Sequence, residues 1–186
     1  MPLRQISTLD LQTPRLHLRN WRQQDWPEFA RLNADPEVME YYPTTLSTDE
    51  SNELADKIST KLTDQGWGFW AVELKITSQF IGFVGLNQPI YDLPVSPCTE
   101  IGWRLAKPFW GMGYATEAGR IALDYGFTIL ALTEIYSFAS TSNLRSISVM
   151  KRLNMTDTRQ NFEHPIIPPN HPLREHVLYK IDNLSP

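Results

Sequence analysis

Apolar and polar residues alternate along this chain with a period that changes from segment to segment. Leu16 and Leu18 alternate with Arg15, His17 and Arg19, which predicts a half-buried strand across Thr13–Arg19. Asp25-x-x-Glu28, with Pro27 in the first turn, has the form of a capping box and predicts a short helix carrying Trp26, Phe29 and Leu32. Ser47-x-x-Glu50 opens a second helix, with Leu54, Ile58 and Leu62 on one face and Gly66 as its stop. Two apolar strands, Gly68–Leu74 and Phe80–Leu86, flank the polar stretch KITSQ and predict an antiparallel hairpin. Thr99–Leu105 alternates again, with Ile101, Trp103 and Leu105 on one face and Glu100, Gly102 and Arg104 on the other. A helix follows across Thr116–Leu130, its stripe of Ala118, Ile121, Ala122, Tyr125 and Ile129 widened by Leu123, Phe127 and Leu130. Then come a strand at Glu134–Ala139 and a helix at Leu144–Leu153, closed by Asn154 where a left-handed residue belongs. A Pro-rich loop, HPIIPPNHP, and a last strand around His176–Ile181 complete the chain.

The order is strand, helix, helix, strand, strand, strand, helix, strand, helix, strand, strand. It predicts an α+β fold, with a mixed, mostly antiparallel central sheet of about seven strands and helices on both faces. The helix between the Glu100 and Glu134 strands is a crossover, so those two strands run parallel and lie close together. No repeat, low-complexity tract or interior linker interrupts the pattern, so residues 1–186 read as a single domain.

Composition narrows the class. A chain of 186 residues with 41% hydrophobic and 20% charged positions has the make-up of a soluble globular enzyme. A net charge of −4 gives no electrostatic support for nucleic-acid binding. One cysteine, Cys98, excludes an intramolecular disulfide framework and suits a reducing, cytoplasmic setting. No apolar run approaches the ~20 residues of a membrane span, and MPLRQISTLDL has no signal-peptide core.

The chemistry concentrates in TEIGWRLAKPFWGMGYATEAGR. A strand ends at Leu105, a turn carries Pro108, and Gly111-x-Gly113 leads into a helix near Ala115 or Thr116. Helix starts leave backbone N–H groups unpaired and partly positive, and glycine lets an oxyanion come close to them. Gly111–Thr116 therefore has the make-up of a pyrophosphate cradle, although a plain Gly-rich connection fits the same two glycines.

The wider arrangement resembles the acetyl-CoA loop of the GNAT N-acyltransferases. Their pattern, Gln/Arg-x-x-Gly-x-Gly/Ala, is matched here by Trp110-Gly111-Met112-Gly113-Tyr114-Ala115. The WGxGYATEA form is similar to the branch that includes ribosomal-protein N-terminal acetyltransferases. TPRLHLR, FIGFVGL, EIGWRL and Asn143-x-x-Ser146 extend the likeness over nearly the whole chain. The resemblance implies an N-acetyltransferase that takes acetyl-CoA as acyl donor, needs no metal, and acts on a small-molecule amine or a protein N-terminus. It leaves a homodimer open. It implies that Trp103, Arg104 and Leu105 pair with the pantetheine arm, and that Gly111, Met112, Gly113, Tyr114, Ala115 and Thr116 hold the pyrophosphate. It further implies that Asn143 orients cofactor or a water near the thioester, and that Glu100 is the general base. Two positions depart from the family. Trp110 replaces a Gln or Arg, and Met150 replaces a tyrosine that protonates the leaving thiolate, which leaves Ser146, one turn earlier on the same face, as a substitute acid.

Each residue also has a plainer role. Glu100 could be an exposed strand residue or an ion-pair partner of Arg104, and Asn143 a helix cap. Cys98 could form an acyl-enzyme but reads better as a half-buried structural residue. His164, His171 and His176 fit no strong metal spacing and suit loop structure or acceptor contact. Trp67 and Trp70 could line an acceptor groove, opposite the donor and between the Ser47–Gln65 helix and the His164–Pro172 loop. Two rival functions remain in view. Gly111-x-Gly113-x-x-Thr116 with Glu134 approaches a dinucleotide fingerprint, but lacks the third glycine and places the acid at the start of a strand rather than its end. A non-catalytic acyl-CoA sensor would keep the glycine loop and account for Met150.

Overall fold

The computed structural model describes residues 10–183. In chain order the elements are β1 (Leu11–Gln12), β2 (Leu16–Arg19), α1 (Trp26–Ala34), α2 (Thr48–Gln65), β3 (Phe69–Leu74), β4 (Gln79–Asn87) and β5 (Glu100–Leu105). They continue with α3 (Tyr114–Thr128), β6 (Glu134–Ser140), α4 (Leu144–Arg152), β7 (Thr156–Asp157), β8 (Phe162–Glu163) and β9 (Glu175–Asp182). The strands form one sheet in the order β1-β2-β3-β4-β5-β6-β9-β7, with β8 also on β9. Among the described residues that makes nine strands rather than about seven. Three of them, β1, β7 and β8, have two residues each, too few for any periodicity to announce them.

Every pairing is antiparallel except β5 with β6. Phe29 of α1 packs edge-on to Phe83 of β4, centroids 6.0 Å apart, while Tyr125 of α3 packs on Trp70 of β3 at 5.2 Å. Helices therefore cover both faces, and Trp70, fully buried, belongs to this core and lines no groove. Trp21 anchors the α1 face, donating from Nε1 to the Phe69 carbonyl at 2.8 Å.

The helix ends follow their local chemistry, with one exception. Ser47 Oγ accepts the Glu50 N–H and the Glu50 carboxylate accepts the Ser47 N–H, while Gly66 closes α2 at φ 81°. Asn154 follows α4 at φ 62°. The α1 capping box is not formed: Asp25 makes no side-chain cap to the helix, and Glu28 pairs with Arg31. Asp25 is instead drawn into a buried ion network, where its carboxylate takes both terminal nitrogens of Arg19 at 2.7 and 2.9 Å. Arg19 Nε reaches Glu73 at 2.7 Å, and Arg22 adds a second bond to Glu73 at 3.1 Å. Arg19, expected on a polar strand face, is 2% exposed. Burial opposes its charge, and hydrogen bonds with attraction from Asp25 and Glu73 outweigh that, holding its pKa above the ordinary value. Another departure lies at the end of α3, where Ile129 is exposed, outside the stripe assigned to it.

Removing one partner of such a network leaves a charge buried without compensation. Asp25→Asn should therefore destabilise the fold by about 3–5 kcal/mol in urea unfolding followed by tryptophan fluorescence. A loss below about 1 kcal/mol, the scale of an exposed pair, would show that the network does not clamp β2 to β3.

Candidate active site

The site begins where β5 and β6 part. Their parallel ladder has a single position, Glu100 opposite Tyr136, backed by the Tyr136 N–H to the Thr99 carbonyl at 2.9 Å. One residue further, the Ser137 hydroxyl donates to the Ile101 carbonyl at 3.0 Å, so a side chain stands in for the next backbone bond. From Gly102 to Leu105 β5 keeps its β4 partner and has no ladder to β6. That leaves one backbone edge of β5 free to pair with an extended guest.

Below this gap lies a cavity of about 680 Å³, a size that suits a small-molecule site. β5 contributes Trp103, Arg104 and Leu105, and the following turn Phe109, Trp110, Gly111 and Gly113. The first turn of α3 adds Tyr114, Ala115 and Thr116, and α4 with its cap adds Asn143, Ser146, Arg145 and Arg152. Val38, Tyr41 and Tyr42 close it from the segment between α1 and α2.

Gly111 and Gly113 adopt left-handed conformations, φ 75° and 80°, which L side chains resist. A Cβ on Gly111 would meet nothing within 4 Å, so the backbone conformation, not crowding within the protein, calls for glycine there. Gly113 is the N-cap of α3 and offers no side chain to its first turn. The N–H groups at the start of α3 therefore have no intrahelical acceptor and meet the cavity with a partial positive charge. Arg152 stands beside them, its Nε 3.4 Å from Thr116 Oγ1. Behind the turn, Glu117 is occupied by Arg15 at 2.6 Å and by Thr13 at 2.5 Å, and Arg15 also donates to the Met112 carbonyl at 3.0 Å.

Nine of the ten residues expected to hold cofactor line this cavity; Met112 does not. Its carbonyl is bound by Arg15 and its side chain is turned to solvent. Asn143 lines the wall and also caps α4, its Oδ1 accepting the Ser146 N–H at 3.1 Å, so both of its roles hold together geometrically. Ser146 lines the cavity as well, whereas Met150 is fully buried in the core and faces no site.

Glu100 lies at the head of the gap, outside the cavity wall, and keeps only partial exposure. It makes no ion pair with Arg104. Asn87 Nδ2 donates to its carboxylate at 2.7 Å, and Lys61 Nζ donates to Asn87 Oδ1 at 2.6 Å. Burial pushes the Glu100 pKa up to about 7, while the Asn87 hydrogen bond and the Lys61 charge pull the other way. A carboxyl titrating there can both take and return a proton at neutral pH. Nearby, burial and the charges of Glu100 and Glu134 push the Cys98 thiol up to about 11, away from nucleophilic thiolate chemistry.

The histidines sit elsewhere. His164 and His176 are buried with ring centroids 4.8 Å apart. Burial, then the charges of His176 and Arg174, lower His164 to about 4, so it stays neutral in the packing around Phe138 and Phe162.

Tyr41, Tyr42, Arg145 and Arg152 were not singled out from the sequence. Arg145 and Arg152 had a signal, since they share a face of α4 with Ser148 at helical spacing. The tyrosines had none, because their segment only becomes a wall once Arg145 pairs with Glu40 and lies against Tyr41 and Trp110, 5.3 and 4.6 Å from their rings. Trp110 is fixed by its own Nε1 donating to the Leu105 carbonyl at 2.7 Å.

The sequence matches the acetyltransferase (GNAT) domain family over residues 15–156. YkkB of Bacillus subtilis is 32% identical, over 84% of this chain and 91% of that protein. The ribosomal-protein-S5-alanine acetyltransferase from Vibrio fischeri superposes with a TM-score of 0.74 at 16% identity, covering 95% of this chain and 98% of that one. A spermidine N-acetyltransferase from Vibrio cholerae, solved with CoA and spermine, superposes with a TM-score of 0.71 at 23% identity, covering 91% and 96%. Those two structures share its fold. Matched well beyond half of its length, the chain belongs to the GNAT acetyltransferase family and is an acetyltransferase.

Proposed function

We propose that this protein, as a single acyltransferase domain, moves the acetyl group of acetyl-CoA to a primary amine by direct attack, with Glu100 as general base. The observation that carries this reading is the glycine turn opening α3 at the foot of the β5–β6 gap. The first-turn N–H groups and Arg152 suit a pyrophosphate, and the free edge of β5 suits an amide-bearing arm. The Vibrio cholerae neighbour's bound CoA supports the same donor.

In this scheme Glu100, through water, takes the ammonium proton. The amine nitrogen bonds to the thioester carbon, and a β5 N–H stabilises the oxyanion. The C–S bond then breaks and CoA leaves as a thiolate, which takes, through Ser146 or water as a relay, the proton the nitrogen sheds on becoming an amide; a thiol pKa near ~8.5 makes that departure easy. The raised pKa of Glu100 favours this enzymatic reading over a non-catalytic acyl-CoA sensor.

Gly113→Val should weaken acetyl-CoA binding at least about ten-fold in titration calorimetry, and Arg152→Met should weaken it without straining the backbone. Unchanged affinity in both folded variants would remove the turn from its role. Glu100→Gln should spare acetyl-CoA affinity, lower turnover at least about ten-fold, and flatten an acidic limb centred near pH 7. Because the folded protein holds this proton between the ordinary 4.5 and about 7, Glu100 makes stability fall as pH rises through that window. The Gln variant should lack that part of the fall; equal slopes in wild type and variant would place the titration elsewhere.

A further inference from the structure

The cavity wall carries three arginines and no aspartate or glutamate. Arg145 is paired with Glu40, and Arg152 stands at the start of α3. Arg104 differs from both. Every Asp and Glu of the chain lies among the described residues, and none of them forms an ion pair with Arg104. Its Nη1 donates to Asn33 Oδ1 at 2.7 Å, while its Nε is shut from solvent with no acceptor among the described residues. A guanidinium with an orphaned donor and no counter-charge is costly unless something else compensates it.

It is nonetheless held firmly in place. Asn33 is fully buried, and its amide donates to Ser51 Oγ at 2.8 Å, itself fully buried, so α2 fixes α1's asparagine and the asparagine fixes Arg104. The Tyr42 ring centroid lies 4.2 Å from the guanidinium carbon and that of Phe83 5.5 Å, so two aromatic rings pack around a group that also lines the cavity. Rigid arginines of this kind recognise carboxylates, through two parallel N–H bonds. The proposed phosphate cradle is built from α3 and α4, with Arg152 beside Thr116. Arg104 faces α1 and Tyr42.

On the acetyltransferase reading above, we propose that Arg104 binds a carboxylate carried by the acceptor, so the protein acetylates amines bearing an acidic group in preference to polyamines. A polycation would meet like charges and no carboxylate on this wall.

The test pairs acids with their amides. Glycine, β-alanine, 4-aminobutyrate, 6-aminohexanoate and Gly-Gly, their carboxamides, and spermidine are assayed by thiol release with wild type, Arg104→Met and Arg104→Lys. The expected result is a wild-type kcat/KM for the best acid at least about ten-fold above that for its amide. Arg104→Met should bring the ratio to about one, and Arg104→Lys should keep part of it. Titrating the N-acetylated acids and amides into CoA-bound wild type reads the same preference without turnover or a variant. Equal binding of acid and amide, preference for spermidine, or an acid preference that survives Arg104→Met would overturn the proposal. Lost acetyl-CoA affinity in Arg104→Met with the acid preference intact would do the same, by assigning Arg104 to the donor. Absence of acetyl-CoA binding in wild type would instead overturn the donor reading beneath it.

Discussion

The structure depends on how little holds β5 to β6. A parallel pair is slanted and already weaker than an antiparallel one, and here its ladder stops at Glu100 and Tyr136. Two longer-range constraints keep the opening from closing. β4 binds β5 along its whole length, and β9 binds β6 along all of its own, so each strand is committed to a different half of the sheet. The Ser137 hydroxyl satisfies the Ile101 carbonyl at the fork and ends the pairing without an orphaned acceptor there. Past that point a bare strand edge, a helix start and a cavity occupy the space a continuous sheet would fill.

Charge is distributed around that opening by structural demand. Burial sets the fork apart by lifting Glu100 toward neutral pH, and Asn87 with Lys61 limits the lift. The α3 end of the cavity has its charge from unpaired N–H groups that any helix start offers, with glycines in left-handed conformations before them. The Arg19–Asp25–Glu73 network is different in kind, since all three side chains are buried and satisfied and face no cavity. It ties β2 to β3 and to the start of α1, which carries Asn33 into contact with Arg104.

Much of this was legible in the sequence, because the long elements carry one clear period each. The alternation in Thr99–Leu105, the Ser47 capping box and the glycine pair before α3 all state local rules that the fold obeys. The start of α3 two residues earlier than Thr116 reflects Gly113 serving as its N-cap, which a search for a polar cap passes over. What stayed hidden were features set by distant partners. Asp25 matched a cap pattern, yet a buried arginine competes for its carboxylate. Arg104 looked available to Glu100 on the same strand face, yet Asn33 and Tyr42 hold it. Trp70 suited a groove by composition and is consumed by the packing of Tyr125. Met112 sat inside the motif, and its side chain turns to solvent rather than lining the cavity.

The proposed chemistry requires acetyl-CoA in the β5–β6 gap with its pyrophosphate on the first turn of α3. Amide hydrogen exchange by mass spectrometry, with and without saturating CoA, tests it without assuming any acceptor. Exchange is expected to slow at Trp103–Leu105 and through Gly111–Thr116, where unpaired N–H groups gain acceptors, and to change little in β9 or α2. Unaltered exchange in those two segments at saturation, or protection confined to another part of the sheet, would contradict it.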